Sequence, residues 1–203
     1  LARPHSPYDP PQRYLDLYKG KEMPKPAHGD WCQQYAERKN QEDMPSDAPF
    51  ANFGDEYAQN SLRHYYANIT FIDDQIGEII RCLKEKDMYD NTIICFTADH
   101  GDMMGVFWFW CGVCVPYIVK WPKTMERQIP DGSRLDYPVE LRDFLPTFLD
   151  LAGGKIPEDM DGRSLATLVQ SKQPSWRKYI DLEHSTCYSE DNYWCALTDG
   201  KMK

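Results

Sequence analysis

Between residues 61 and 86 the apolar side chains Leu62, Tyr65, Ile69, Ile72, Ile76, Ile79 and Leu83 recur at alternating steps of three and four. That spacing draws one stripe along an α-helix and fits no strand, in which side chains change face at every residue. Asp90-Asn91 then turns the chain into Thr92-Ile93-Ile94-Cys95-Phe96-Thr97, an apolar, β-branched run suited to a strand covered on both faces. An amphipathic helix feeding a buried strand predicts an α/β fold, with a mixed, mostly parallel sheet flanked by helices.

The rest of the chain is read around that unit. Residues 1 to about 60 are rich in Pro, Asp and aromatic residues and predict a long structured loop with short helical turns. Val115 to Val119 is a second strand, ended by Trp121-Pro122. Asp143 caps a helix with Pro146 in its first turn, continuing through Phe148, Leu149 and Leu151 to Gly153-Gly154. Beyond Gly162-Arg163-Ser164-Leu165 the pattern shortens, with strands over Tyr179–Glu183 and Tyr193–Thr198. The expected division is therefore residues 1–165 as part of the main α/β domain and 166–203 as the start of a small C-terminal α+β subdomain. Both ends read as cut: no element precedes Leu1, and Leu197–Lys201 reads as a strand entering a hairpin turn without a return strand. Half a parallel sheet leaves open edges and an uncovered core face, which predicts poor independent stability.

Composition narrows the partners. The formal charge of −9 is spread along the chain, and no Lys/Arg cluster is dense enough to track a phosphate backbone, so nucleic acid is excluded as a partner. No apolar run has the length of a membrane span. An acidic protein that handles an anion needs a local metal or placed cations to overcome its own field. Seven cysteines, most of them single within apolar segments such as Ile94-Cys95-Phe96, favour a reducing compartment.

Ala98-Asp99-His100-Gly101-Asp102 follows the expected strand directly, and in open α/β sheets ligands gather beyond the strands' carboxyl ends. Asp99 offers a hard oxygen suited to Ca²⁺ or Mg²⁺, His100 a nitrogen, and Gly101 a sharp turn. On local pattern alone, an Asp-Gly turn beside a solvated histidine is an equal reading.

Six blocks in order change that balance. They are Arg3-Pro4-His5-Ser6-Pro7-Tyr8-Asp9-Pro10-Pro11, Tyr65 to Gly77, Phe96 to Asp102, Val115 to Pro122, Pro146 to Gly153, and Asp161-Gly162-Arg163-Ser164-Leu165. Together they resemble the C-terminal portion of type I sulfatases of the alkaline phosphatase superfamily. The resemblance implies an alkaline phosphatase-like α/β fold and hydrolysis of a sulfate monoester, with a sulfated carbohydrate favoured over a small aryl sulfate. It implies that Asp99 and His100 are ligands of Ca²⁺ (or Mg²⁺) and that His5 reaches the scissile ester. It further implies a formylglycine nucleophile, made from a Cys or Ser in a Cys/Ser-x-Pro-x-Arg motif.

The chain departs from the family in two places. Neither the nucleophile motif nor the paired aspartates that complete the family's metal site occurs here, so Asp99 and His100 are half a site and this chain alone is expected to be inactive; the formylglycine is expected N-terminal to it. Val106–Cys114 is apolar and lacks the lysine that the family carries after Asp-His-Gly; Lys120 belongs to the following strand and does not replace it.

Other residues are weighed singly. Cys111 and Cys114 have the spacing of a zinc or redox pair, but the chain holds no second pair to complete a site. His64, off the apolar stripe, reads as a solvated surface residue and His28 as a loop residue, while Asp73 and Asp74 read as helix residues that bond neighbouring loops. His184, at the end of a strand whose edge lines the substrate cleft in the resembled family, is a candidate substrate contact; Cys187, Tyr188 and Tyr193 are open between substrate-facing and packed roles. Two rivals stand beside the sulfatase reading: a phosphodiesterase or phosphonate monoester hydrolase of the same superfamily, and a non-catalytic binding protein of this fold.

Overall fold

A computed structural model describes residues 3–25, 55–102, 112–184 and 193–201, which divide into two compact units, residues 1–122 and 123–203. Part of Val106–Cys114, together with His28, Cys187 and Tyr188, lies outside the described residues.

The first unit is organised by the expected helix. A short helix α1 (Gln12–Leu15) continues as a 3₁₀ turn, Asp16–Tyr18, and is followed by the long helix α2 (Asp55–Glu85). Residues 11–25 lie along α2 and run antiparallel to it. Gln59 brackets Met23, accepting from its N–H at 2.7 Å and donating to its carbonyl at 2.9 Å. Arg63 donates to Lys21 O at 2.9 Å, Tyr18 shares a hydrogen bond with Thr70 at 2.7 Å, and Tyr14 donates to Asp74 at 2.9 Å. Asp74 thus bonds a neighbouring segment, but that segment is the short helix α1 and not the loop expected from sequence. Tyr14 and Met23 are buried with Leu62 and Ala67, and the Tyr14 ring meets Phe71 at 5.2 Å. The proline-rich segment is therefore held as structure by apolar contact on one side and side-chain hydrogen bonds on the other.

A 3₁₀ turn at Tyr89–Asn91 leads into β1 (Ile94–Thr97), which pairs antiparallel with β2 (Tyr117–Lys120). The expected cover on both faces is not seen among the described residues. Register partners Phe96 and Ile118 are 40% and 61% exposed, and Ile79 on the α2 stripe is 57% exposed.

In the second unit a 3₁₀ turn, Leu141–Asp143, precedes α3 (Phe144–Leu151) and α4 (Ala166–Gln170); β3 (Ile180–His184) pairs antiparallel with β4 (Trp194–Thr198). Asp143 does not cap α3 by a side-chain hydrogen bond; its carboxylate accepts from Glu140 N at 3.0 Å and Arg163 N at 2.8 Å and pairs with Arg177. Thr147 Oγ1 donates to Asp143 O at 2.6 Å and accepts from Leu165 N at 2.8 Å, which fastens α3 to the start of α4. Gly162 explains its own block: a Cβ there would meet Arg142 O at 1.9 Å, far inside contact distance. The boundary expected after residue 165 lies within this unit, among the buried residues Ser164, Leu165 and Ala166.

The α/β character is thus present, and both described strand pairs are antiparallel. The mostly parallel sheet expected from sequence is not found among the described strands.

Candidate functional site

β1 delivers Asp99 and His100 to the surface immediately after Thr97, their side chains 87% and 70% exposed. Asp99 Oδ1 accepts the His100 backbone N–H at 2.9 Å, and Oδ2 lies 3.9 Å from His100 Nε2. His100 Nδ1 lies 2.9 Å from Gly101 O. A carbonyl can only accept, so Nδ1 is the donor and Nε2 takes no part in that bond. The loop is closed by Gly101 N–H donating to Gly112 O at 2.7 Å. The Asp99 carboxyl is held below the usual carboxylate value, first by the His100 backbone N–H, then by the nearby charge of the His100 ring and, more weakly, that of His5.

His5 comes from a turn far away in sequence. The turn is closed by Arg3, which pairs with Asp9 at 2.5 Å and donates to Pro7 O at 2.7 Å. His5 Nδ1 lies 2.6 Å from Ser6 O, so by the same logic Nδ1 is the donor and Nε2 of the exposed ring takes no part in that bond. Tyr8 carries the turn to its neighbours. Its carbonyl meets His64 Nδ1 at 2.8 Å, its ring packs edge-on against Tyr65 at 5.7 Å, and its hydroxyl donates to Asp102 Oδ2 at 3.0 Å. Burial, then the Asp102 carboxylate, push the Tyr8 phenol well above its ordinary value, so it stays a hydrogen-bond donor.

The donor chemistry suits part of a divalent-metal shell. Asp99 Oδ2 and His100 Nε2 are 3.9 Å apart, and the backbone carbonyl on Nδ1 is the usual means of orienting a ligating imidazole. Among the described residues no group of three or more His, Cys, Asp or Glu side chains converges to hold an ion. Asp99 and His100 fit as two ligands of a set that these residues do not complete.

His64 differs from the sequence reading. It is half-buried and bonded to Tyr8, because it stands one residue before Tyr65 on α2 and so borders the stripe that the N-terminal segment covers. Tyr8 and Asp102 were not singled out; their hydrogen bond links positions 94 residues apart, and no local pattern signals it. Lys120 donates to Tyr89 O and, at 2.8 Å, to Thr92 O, binding β2 to the turn before β1. Cys114 is a free, exposed thiol. In the second unit His184 closes β3, stacked at 5.5 Å on the ring of Trp194, its register partner on β4. Tyr193 is 60% exposed. Among the described residues no helix is long and apolar enough to cross a membrane.

Comparison with known proteins follows the same blocks. A family model described as Sulfatase matches residues 1–154. The chain is 38% identical to an arylsulfatase of Clostridium perfringens over 98% of its own length and 42% of the relative's. It is 31% identical to an N-acetylglucosamine-6-O-sulfatase of Bacteroides thetaiotaomicron over 88% of this chain and 32% of the relative. Among solved structures, a phosphonate monoester hydrolase from Silicibacter pomeroyi superposes with a TM-score of 0.72 at 29% identity, covering 89% of this chain and 38% of the other. The chain thus spans less than half the length of each of these proteins.

Proposed function

Because the chain belongs to the sulfatase family, we propose that the whole protein is a sulfuric ester hydrolase that cleaves sulfate monoesters of a carbohydrate or an aryl alcohol. The observation that carries this reading is the meeting of two distant blocks: the His5 turn and the Asp99–His100 loop are joined in one unit through Tyr8 and Asp102.

Asp99 and His100 are assigned as ligands of a divalent cation, Ca²⁺ or Mg²⁺, to which the hard carboxylate oxygen of Asp99 is suited. When bound there, the ion would supply Lewis-acid polarisation and orientation of a sulfuryl oxygen. His5, whose Nε2 takes no part in the bond to Ser6, is assigned to proton traffic at the ester oxygen, holding or giving a proton as the alcohol leaves. His184 is assigned to substrate contact, its ring plane fixed by Trp194. The nucleophile is assigned to a formylglycine outside this sequence. The mostly parallel sheet of the superfamily, with β1 as one of its strands, is proposed for the whole protein, and so is a change of role after residue 165, from catalytic scaffold to substrate-facing subdomain. A carbohydrate substrate is supported by the similarity to the N-acetylglucosamine-6-O-sulfatase.

The superposition on a phosphonate monoester hydrolase supports a second reading, hydrolysis of a phosphonate or phosphodiester. The deciding experiment offers the whole protein para-nitrophenyl sulfate, N-acetylglucosamine 6-sulfate and a para-nitrophenyl phosphonate ester after chelation and after return of Ca²⁺ or Mg²⁺. Metal-dependent turnover of a sulfate, lost in Asp99→Ala, is expected. Faster turnover of the phosphonate would transfer the assignment to the second reading, and binding of any of these esters without turnover would mark a non-catalytic protein.

A further inference from the structure

Resting on the reading above, in which His5 acts beside Asp99 and His100, we infer that the Tyr8–Asp102 hydrogen bond is a positioning latch that sets the His5 ring against the Asp99–His100 loop. Neither residue touches the reacting atoms in this scheme. Each acts through its neighbours: Tyr8 stands three residues after His5, and Asp102 two after His100.

The geometry behind the latch is local and specific. The His5 turn belongs to no helix or strand, and its internal closure by Arg3, Asp9 and Pro7 fixes its shape but not its place. Its place is set by Tyr8, which bonds α2 through its carbonyl and the strand-end loop through its hydroxyl. The backbone bond to His64 and the Tyr65 contact hold the turn to the helix even when the hydroxyl is removed. The 3.0 Å bond to Asp102 therefore ties the turn, among the described residues, to the loop carrying the proposed metal ligands, across 94 residues of chain. Tyr8→Phe keeps the ring packing and deletes only that bond. Asp102→Asn keeps an acceptor oxygen and can preserve it, whereas Asp102→Ala cannot. A reacting group displaced by about 1 Å costs on the order of a hundredfold in rate, so a modest bond can control a large effect.

The test measures kcat and KM of the whole protein, metal-saturated, on whichever of para-nitrophenyl sulfate, N-acetylglucosamine 6-sulfate and the para-nitrophenyl phosphonate ester it turns over. Tyr8→Phe and Asp102→Ala should each lower kcat by roughly ten- to a hundredfold with KM within about threefold, and the double variant should be no worse than either alone. Asp102→Asn should recover most of the rate. Tyr18→Phe, which deletes a comparable phenol bond to Thr70 elsewhere on α2, should leave kcat unchanged. An unaltered kcat in Tyr8→Phe overturns the latch. So does a loss that Asp102→Asn fails to rescue or that Tyr18→Phe reproduces, because either result describes general loosening. Turnover of the phosphonate and of neither sulfate overturns the sulfatase reading but leaves the variant ratios to decide the latch; turnover of none of the three esters overturns both.

Discussion

Replacing Asp143 with Asn removes one negative charge from the centre of the second unit while keeping the side chain's shape. Asp143 is fully buried, and its carboxylate serves three donors: the backbone N–H groups of Glu140 and Arg163, at 3.0 and 2.8 Å, and the Arg177 guanidinium, whose side chain is only 8% exposed. An asparagine can satisfy one oxygen's worth of those donors and turns an N–H₂ toward the rest. Arg177 retains Glu140, which is 15% exposed, so the buried cation is not wholly stranded. Breaking a buried pair by losing one partner costs about 3–5 kcal/mol, and the remaining Glu140 argues for the lower end, about 3 kcal/mol. That corresponds to about a hundredfold in the opening equilibrium. Native-state hydrogen exchange of the whole protein reads it directly, since the Glu140 and Arg163 amides are bonded to the residue being changed. Both should exchange about a hundredfold faster in Asp143→Asn, with α2 in the first unit unaffected. Adding Arg177→Met should restore part of the loss, because the uncompensated charge is then gone. An acceleration below about threefold, or a double variant that simply adds the two single effects, would refute the argument that this network is a buried, mutually dependent unit.

Three further outcomes follow from the same structure. Gly162→Ala places a methyl group where Arg142 O stands 1.9 Å away, so it should destabilise the second unit by at least about 1–3 kcal/mol in urea unfolding, the usual cost of overpacking; a neutral result would mean this backbone approach is wrong. Tyr8, raised in the folded state by burial and by Asp102, contributes stability that is complete below about pH 10 and is lost as pH rises from there through its folded value. Stability followed upward from about pH 9 should thus fall more steeply in the native protein than in Tyr8→Phe, and parallel curves would count against it. Burial raises the Cys95 thiol, whereas Cys82, Cys114 and Cys195 are exposed, so timed alkylation followed by peptide mapping should label those three before Cys95.

The strength of the helix reading came from repetition. Seven apolar residues at helical spacing placed a helix over 61–86, and α2 spans Asp55–Glu85. Strand positions were found to within about two residues because β-branched runs ended by turn residues are local signals. Strand direction is a different matter. Whether β1 meets a parallel or antiparallel neighbour depends on which segment arrives beside it, and the antiparallel pairing with β2 is not written in either segment. Asp143 shows the same limit: its capping position is legible, but the carboxylate is used for Arg177, which lies 34 residues on.

By itself the sequence determined the elements and the ordered blocks that place the chain in its family, since both rest on residue types at short, fixed spacings. It also placed Asp99 and His100 at the end of a strand, where a site can form. Only the tertiary structure decided that the His5 turn folds back onto the N-terminal part of α2 and meets the strand-end loop through Tyr8 and Asp102. Those contacts join residues 56 and 94 positions apart, and one hydrogen bond between distant side chains leaves no periodic trace in the segments it connects.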